Sequence, residues 1–153
     1  MPTPGFERPL PVNDSTEIFR DIKTALVEGG EDGLRRYAVA RLGGVSALLD
    51  LIFAQLPNAF LPSRAGGRAI GFQFVVDDRG TTHEYYADVR AGACRTGRGT
   101  LVGSTTTLTM TLADFAAVLV GTLAPVRAFL SQRIRVSGEM MAATKFESWF
   151  QRP

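Results

Sequence analysis

Two strands and the turn between them can be read from residues 70–89, IGFQFVVDDRGTTHEYYADV. Apolar side chains alternate with others from Ile70 to Val76, and a period of two is typical of a strand with one buried face. The run DDRG supplies turn residues, and the alternation resumes from Thr82 to Val89. The stretch therefore predicts a β-hairpin with one face turned towards an apolar interior.

Three more strands are predicted downstream of this hairpin. One lies around Cys94, one covers Thr105–Thr111, and a brief one covers Ile134–Val136. A helix capped by the side chain of Thr111 is predicted directly after the fourth strand. Two further helices are expected, one starting at Pro125 and one spanning Met140–Phe150.

The strongest helical pattern lies upstream of the hairpin. Apolar residues recur there at intervals of three and four, ahead of a predicted helix end at Pro57: Val45, Leu48, Leu49, Ile52, Phe53 and Leu56. Two preceding helices are predicted to end at Gly29-Gly30 and at Gly43-Gly44. The whole pattern predicts an α+β fold, a five-stranded, mainly antiparallel sheet covered by helices, with an N-terminal helical extension.

The composition is typical of one soluble globular domain. The 153 residues are 45% hydrophobic and 21% charged, which excludes a disordered or coiled-coil chain. Seventeen Lys and Arg nearly balance fifteen Asp and Glu without forming a basic cluster, so no nucleic-acid partner is expected. Cys94 is the single cysteine, which favours a reducing, cytoplasmic location. No stretch has the length and hydropathy of a transmembrane segment.

Residues that carry catalysis are sparse. His83 is the sole histidine and lies beside a turn, so a nucleophile with a histidine base is not expected. One His and one Cys do not make a metal-ligand cluster, and we predict neither a metal nor a cofactor. The loop at Gly97-Arg98-Gly99 does not open a helix and therefore lacks the setting of a phosphate-binding loop. We predict that the protein is not an enzyme.

From about Ile52 onward the chain resembles the sterol carrier protein type-two family. The resemblance runs through IFAQLPNAFLPSRAGG (residues 52–67), IGFQFVV (70–76) and LTMTLADFAAVLVGTLAPVRAFLSQRIRVSGEMMAATKF (108–146). It rests on the order of a threonine-rich strand, a helix that contains Asp114-Phe115, the fifth strand and a closing helix. One departure is that family members usually place Gly and Lys before the fifth strand, where this chain has Gln132-Arg133.

The resemblance implies an apolar tunnel between the sheet and its helices that takes sterols, fatty acids, fatty-acyl groups or other lipids. It assigns residues 45–153 to a sterol-carrier-like domain and leaves residues 1–44 as an N-terminal arm and helical extension, which could cover the tunnel, extend the core or form a dimer surface. The candidates for the lining are Phe53, Phe60, Phe72, Phe74, Leu108, Met110, Phe115, Leu119, Phe129, Met140, Met141, Phe146 and Trp149. The candidates for a polar anchor at the tunnel mouth are Arg64, Arg68 and Arg133.

The expected function is the binding and transfer of a hydrophobic small molecule, with transient membrane contact and a homodimer as further possibilities. Two alternatives stay open. One is an enzyme or chaperone for a hydrophobic biosynthetic intermediate such as a polyketide. Its acid–base groups would come from Tyr85, Tyr86, Asp88 and Glu139. The other is a dimerisation module whose core is filled by its own side chains.

Overall fold

A computed structural model describes residues 14–150 as a five-stranded sheet covered by helices. The helical elements are α1 (Asp14–Tyr37), a π-helical turn (Ala38–Leu42), α2 (Val45–Ala59), α3 (Pro62–Ala65), α4 (Leu112–Leu119), α5 (Pro125–Leu130) and α6 (Met140–Ser148). The strands are β1 (Ile70–Asp78), β2 (Thr81–Arg90), β3 (Ala93–Arg98), β4 (Thr106–Thr111) and β5 (Ile134–Gly138). Residues 1–13, which include the predicted N-terminal arm, lie outside the described residues.

The sheet has the strand order β3-β2-β1-β4-β5. The central pair β1–β4 is parallel, and the other three pairs are antiparallel. In the β1–β2 hairpin, Ile70 stands opposite Val89 and Asp78 opposite Thr81. The predicted five-stranded, mainly antiparallel sheet is therefore confirmed.

Strand β1 is buried on both faces over its first half, which the alternating pattern did not predict. Phe72 and Phe74 face the helices, and Gln73 on the opposite face is also buried. The Gln73 amide nitrogen donates to the carbonyl oxygens of Tyr85 and Gly99 at 3.0 Å each, and its oxygen accepts from the Leu101 amide at 2.7 Å. Both polar atoms of the Gln73 amide have hydrogen-bond partners, so its burial leaves no unsatisfied polar group. Through these bonds Gln73 holds the β3–β4 loop over the outer face of the sheet.

The N-terminal helices contribute to the same core as the sheet. Helix α1 breaks at Gly30, where a helix end was predicted, and the side chains of Ile22 and Leu34 on either side of the break are fully buried. The Arg35 guanidinium pairs with the carboxylate of Asp78 at the end of β1. Within residues 14–150 no single helix meets the length and hydropathy of a membrane span; one helix pair, bent by 83°, meets them only when both helices are counted together.

The start of α4 joins two parts of the fold. The Thr111 hydroxyl oxygen accepts from the backbone amide of Asp114 at 3.2 Å, which confirms the predicted cap. The Asp114 carboxylate in turn accepts from Nε and Nη2 of Arg133 at 2.9 and 2.6 Å. This ion pair ties the first turn of α4 to the residue that precedes β5.

Two predicted helix ends were wrong. Helix α2 continues past Pro57 to Ala59. Pro57 has no N–H to donate to the carbonyl oxygen of Phe53, and that oxygen accepts instead from the Thr96 hydroxyl at 2.5 Å. Helix α6 stops at Ser148, before the predicted end at Phe150, and Phe150 forms an isolated antiparallel bridge with Phe60. The partner of this bridge comes from a distant part of the chain, so periodicity could not reveal it.

Gln132 adopts a left-handed backbone conformation, with φ of 64°. This is the position at which the resemblance described above implies a glycine, and an L-residue with a side chain costs roughly 1–2 kcal/mol in this region. We therefore expect Gln132→Gly to raise the free energy of unfolding by about 0.5–1 kcal/mol, after the larger entropy loss of glycine is subtracted. Denaturant unfolding of both proteins measures the difference, and a destabilised variant would contradict the expectation.

Candidate functional site

Aromatic rings from three helices converge on two phenylalanines of β1. Phe53 of α2, Phe115 of α4 and Phe146 of α6 each lie against Phe74, with ring centroids 5.3, 6.1 and 5.2 Å apart. The set that we call the aromatic cluster consists of Phe53, Phe72, Phe74, Phe115, Phe146 and Trp149. The cluster occupies the interface between the sheet and the helices that cover it.

The geometry inside the aromatic cluster is mostly edge-to-face. Phe72 meets Phe146 at 4.9 Å and Trp149 at 6.3 Å with interplanar angles of 73° and 79°, while Phe53 and Phe115 stack at 5.5 Å. Such pairs contribute roughly 0.5–1.5 kcal/mol each beyond their buried area. A guest molecule that enters between these rings has to separate them, so ring contacts are exchanged for contacts with the guest.

The other predicted lining residues fall into two groups. Phe60, Leu108 and Met110 are buried, and Leu119 is half-buried, all in the core to which the cluster belongs. Phe129, Met140 and Met141 lie on the surface of α5 and α6 with 38, 48 and 66% of their area exposed. The structure thus brings ten of the thirteen candidates into one core region and leaves three on adjoining helices outside it. Their role in lining a ligand site stays a prediction.

A pocket of about 200 Å³ opens between α2 and strands β2 and β3. We call it the Asp50 pocket. Its lining residues are Asp50, Phe53, Ala54, Tyr85, Thr96, Gly97 and Arg98. Phe53 belongs both to this pocket and to the aromatic cluster, and its ring stacks on that of Tyr85 with centroids 4.6 Å apart and planes within 8°. One phenylalanine ring therefore separates the pocket from the cluster.

An ion pair between Asp50 and Arg98 lines the polar side of the Asp50 pocket. Arg98 donates from Nη2 to Oδ2 of Asp50 at 2.5 Å and from Nε to Oδ1 at 3.2 Å. The Tyr85 hydroxyl donates to the same carboxylate, and the Arg98 guanidinium lies 5.9 Å from the centre of the Tyr85 ring. Bidentate pairing of this kind fixes the direction of both side chains.

The protonation states in the Asp50 pocket follow from these contacts. The hydrogen bonds from Arg98 hold the pKa of Asp50 below its ordinary value against the opposing effect of burial. Burial, and then the Asp50 carboxylate, raise the pKa of Tyr85 to about 12. At neutral pH the pocket therefore contains an ionised carboxylate, a charged guanidinium and a neutral hydroxyl, with no net charge.

The sequence-based interpretation named Tyr85 of this pocket as an acid–base candidate and missed its two charged residues, Asp50 and Arg98. Arg98 was assigned to a glycine-rich loop, although it stands directly opposite Tyr85 in the β2–β3 pairing. Asp50 offered the clearest signal, because it is an acid placed three residues before Phe53 in a helix whose neighbouring turns are apolar.

The other polar residues that were predicted as site residues do not line the Asp50 pocket. Arg133 is paired with Asp114, Arg68 is exposed, and Arg64 makes a 3.5 Å contact from Nη1 to the carbonyl oxygen of Ser148. Asp88, proposed as an acid–base group, has a buried carboxylate. That carboxylate accepts from Arg90 and Arg95 at 3.0 Å each.

The remaining acid–base candidates, Glu139 and Tyr86, do not line the Asp50 pocket either. Glu139 is exposed, and Tyr86 is half-buried on the face of β2 opposite to Tyr85. The burial of Cys94, with the nearby Asp88 carboxylate, raises the pKa of its thiol to about 12, which makes it a poor nucleophile. Among the residues that the structure describes, no group of three or more His, Cys, Asp or Glu side chains could hold a metal ion.

Solved structures share this fold at low sequence identity. The sec-alkylsulfatase Pisa1 from a Pseudomonas species aligns with a TM-score of 0.62 and 14% identity over 79% of this chain, which spans only 21% of that enzyme. Sterol carrier protein 2 like 2 from Aedes aegypti aligns with a TM-score of 0.53 and 22% identity, over 67% of this chain and 93% of its own.

A third solved structure and a protein family also match this chain. Apo sterol carrier protein 2 from Yarrowia lipolytica aligns with a TM-score of 0.50 and 22% identity, over 56% of this chain and 69% of its own. No curated protein matches this chain. The SCP-2 sterol transfer family matches residues 63–151, which is more than half of the chain. The chain therefore belongs to the SCP-2 sterol transfer family.

Proposed function

We propose that this protein binds and transfers a lipid or another hydrophobic small molecule between its sheet and its helices, without changing it chemically. The observation that carries the proposal is the aromatic cluster, in which α2, α4 and α6 each place a phenylalanine against β1. In a chain of a sterol transfer family, an apolar interface made of separable rings is suited to admit an aliphatic or sterol body.

The energy of such binding suits a carrier. A tail of about 15 methylenes gains roughly 12 kcal/mol on leaving water, at about 0.8 kcal/mol each. Ordering of the guest and separation of the rings reduce this gain, and a net of roughly 5–9 kcal/mol corresponds to dissociation constants from about 100 μM to below 1 μM. A carrier with a dissociation constant in that range can both load its guest and release it.

The exposed apolar side chains of α5 and α6 support an entrance at that end of the molecule. Phe129 and Met140 lie on two helices that contact each other, and both side chains are substantially exposed. Methionine is unbranched and polarisable, so Met140 can adapt to guests of different shape. We propose that the guest passes this apolar rim on its way to the aromatic cluster.

Binding is better supported than catalysis by the polar groups near the core. Tyr85 keeps its proton at neutral pH, since its pKa is about 12. The Asp88 carboxylate accepts hydrogen bonds from two arginines and does not line the Asp50 pocket. An acid–base role in the conversion of a biosynthetic intermediate therefore has little support among the described residues.

Native mass spectrometry of protein purified without detergent tests the proposal. We expect an adduct whose mass identifies a lipid or a similar apolar molecule. Met140→Trp should remove or reduce the adduct while the protein stays folded, because the larger ring obstructs the proposed entrance. Val102→Trp adds the same ring to a fully exposed loop residue and should leave the adduct unchanged. A protein with no adduct that also fails to bind added dehydroergosterol or palmitate would overturn the proposal.

A further inference from the structure

The Asp50 pocket combines an apolar wall with a polar end at which both charged side chains are about half exposed to solvent. The Phe53 ring forms the apolar wall, and the ion pair of Asp50 with Arg98 forms the polar end. The Phe53 ring also contacts Phe74 and Phe115 in the aromatic cluster. The Phe53 ring is 1% exposed, so an amphiphilic guest that holds its polar end in the pocket reaches the cluster only by displacing this ring.

The charges in this pocket are already balanced. Asp50 and Arg98 neutralise each other through two hydrogen bonds, and Tyr85 donates its only hydroxyl proton to Asp50. A guest carboxylate would lie beside the Asp50 carboxylate, and the two like charges repel each other. A hydroxyl carries no charge and meets no such repulsion.

Hydrogen-bonding capacity remains for an uncharged group. A guanidinium has five N–H donors, and the bonds to Asp50 use two of those on Arg98. Oδ2 of Asp50 receives one of these bonds, so it has a lone pair for a guest. A hydroxyl can accept from Arg98 and donate to Asp50 at the same time, whereas a carboxylate can only accept.

We propose that the Asp50 pocket is a head-group site that takes the uncharged hydroxyl end of an amphiphile and rejects a carboxylate, with Asp50 as the residue that sets this choice. The inference deepens the proposed function and rests on it. The volume of about 200 Å³ corresponds to about seven groups of the size of a water molecule. The pocket thus holds a hydroxyl and about six carbons, and a longer guest would extend into the aromatic cluster by displacing the Phe53 ring.

Titration of the isotope-labelled full chain at pH 7, followed by nuclear magnetic resonance, tests the choice with two probes of pocket size, 1-hexanol and hexanoate. We expect 1-hexanol to shift the signals of Asp50, Tyr85 and Arg98 and to bind about tenfold more tightly than hexanoate. Asp50→Asn keeps the shape of the side chain and leaves the charge of Arg98 unbalanced. That variant should bind hexanoate at least tenfold more tightly than the wild type does.

Asp32→Asn is the matched control. Asp32 is an exposed acid that pairs with Arg79, and neither residue lines the pocket. Its replacement by Asn makes the same change in net charge. It should leave both affinities at their wild-type values. Unchanged signals of the buried sheet residues in each variant establish that the fold is intact.

Each other outcome has a distinct meaning. Equal binding of 1-hexanol and hexanoate, or an Asp50→Asn variant that gains no affinity for hexanoate, would overturn the assignment of Asp50. If dehydroergosterol binds while neither short probe shifts the pocket signals, the head-group site is wrong and the proposed carrier function stands. If the purified protein carries no adduct and dehydroergosterol, palmitate and both short probes all fail to bind, the carrier function and the head-group site fail together.

Discussion

Phe53→Ala is expected to lower the free energy of unfolding by about 3–5 kcal/mol. The Phe53 ring is 1% exposed and lies against Tyr85, Phe74 and Phe115 with centroid distances of 4.6, 5.3 and 5.5 Å. Its removal leaves a cavity that joins the Asp50 pocket and costs both the transfer energy of the ring and its aromatic contacts. Urea unfolding followed by circular dichroism measures the loss.

Phe129→Ala provides the matched deletion. Phe129 loses the same atoms from a ring that is 38% exposed on α5, and we expect a cost of about 1–2 kcal/mol. If Phe53→Ala is too unstable to measure, Phe53→Leu fills part of the cavity. Its loss in free energy of unfolding should lie between those expected for Phe53→Ala and Phe129→Ala. Equal losses at Phe53 and Phe129 would show that Phe53 does not join the helices to the sheet.

Gly138→Ala is expected to destabilise the protein by about 2–5 kcal/mol. Gly138 ends β5 with φ of 94°, and a Cβ atom at this position would lie 2.2 Å from the carbonyl oxygen of Thr105. That oxygen accepts from the Glu139 amide at 3.0 Å, so it cannot move away without losing the hydrogen bond. The left-handed conformation costs about 1–2 kcal/mol and the overlap with backbone adds about 1–3 kcal/mol.

Gly80→Ala separates these two contributions. Gly80 has nearly the same φ, 92°, but a Cβ atom there would have no neighbour within 4 Å. We expect this variant to lose only about 1–2 kcal/mol. Thermal and denaturant unfolding of both variants gives the difference, which is the cost of the overlap at the β4–β5 edge. A difference near zero would contradict the close approach of Gly138 to Thr105.

Much of the fold was predictable because its signals are local. The β1–β2 hairpin follows from alternation around a turn, and the Thr111 cap follows from a residue type at a helix start. The departure from the family pattern at Gln132 also pointed to a real feature, since this residue adopts a left-handed conformation. Local sequence determines such features because the interacting groups are only a few residues apart.

The errors and omissions all involve contacts between distant residues. The end of α6 depends on a bridge between Phe60 and Phe150, and the buried side of Gln73 depends on the loop that reaches Leu101. No local pattern predicts which distant segment will supply the second half of such a contact.

By itself the sequence determined the fold class, the order of the strands along the chain and the residues that form the apolar core, because hydrophobic burial acts on patterns within each segment. The tertiary structure alone decided which polar residues meet. Asp50 and Arg98 are 48 residues apart, and they pair because the β2–β3 register sets Arg98 opposite Tyr85 while α2 packs above both. Register and helix packing are properties of the assembled fold, so the Asp50 pocket exists only once the sheet and α2 have come together.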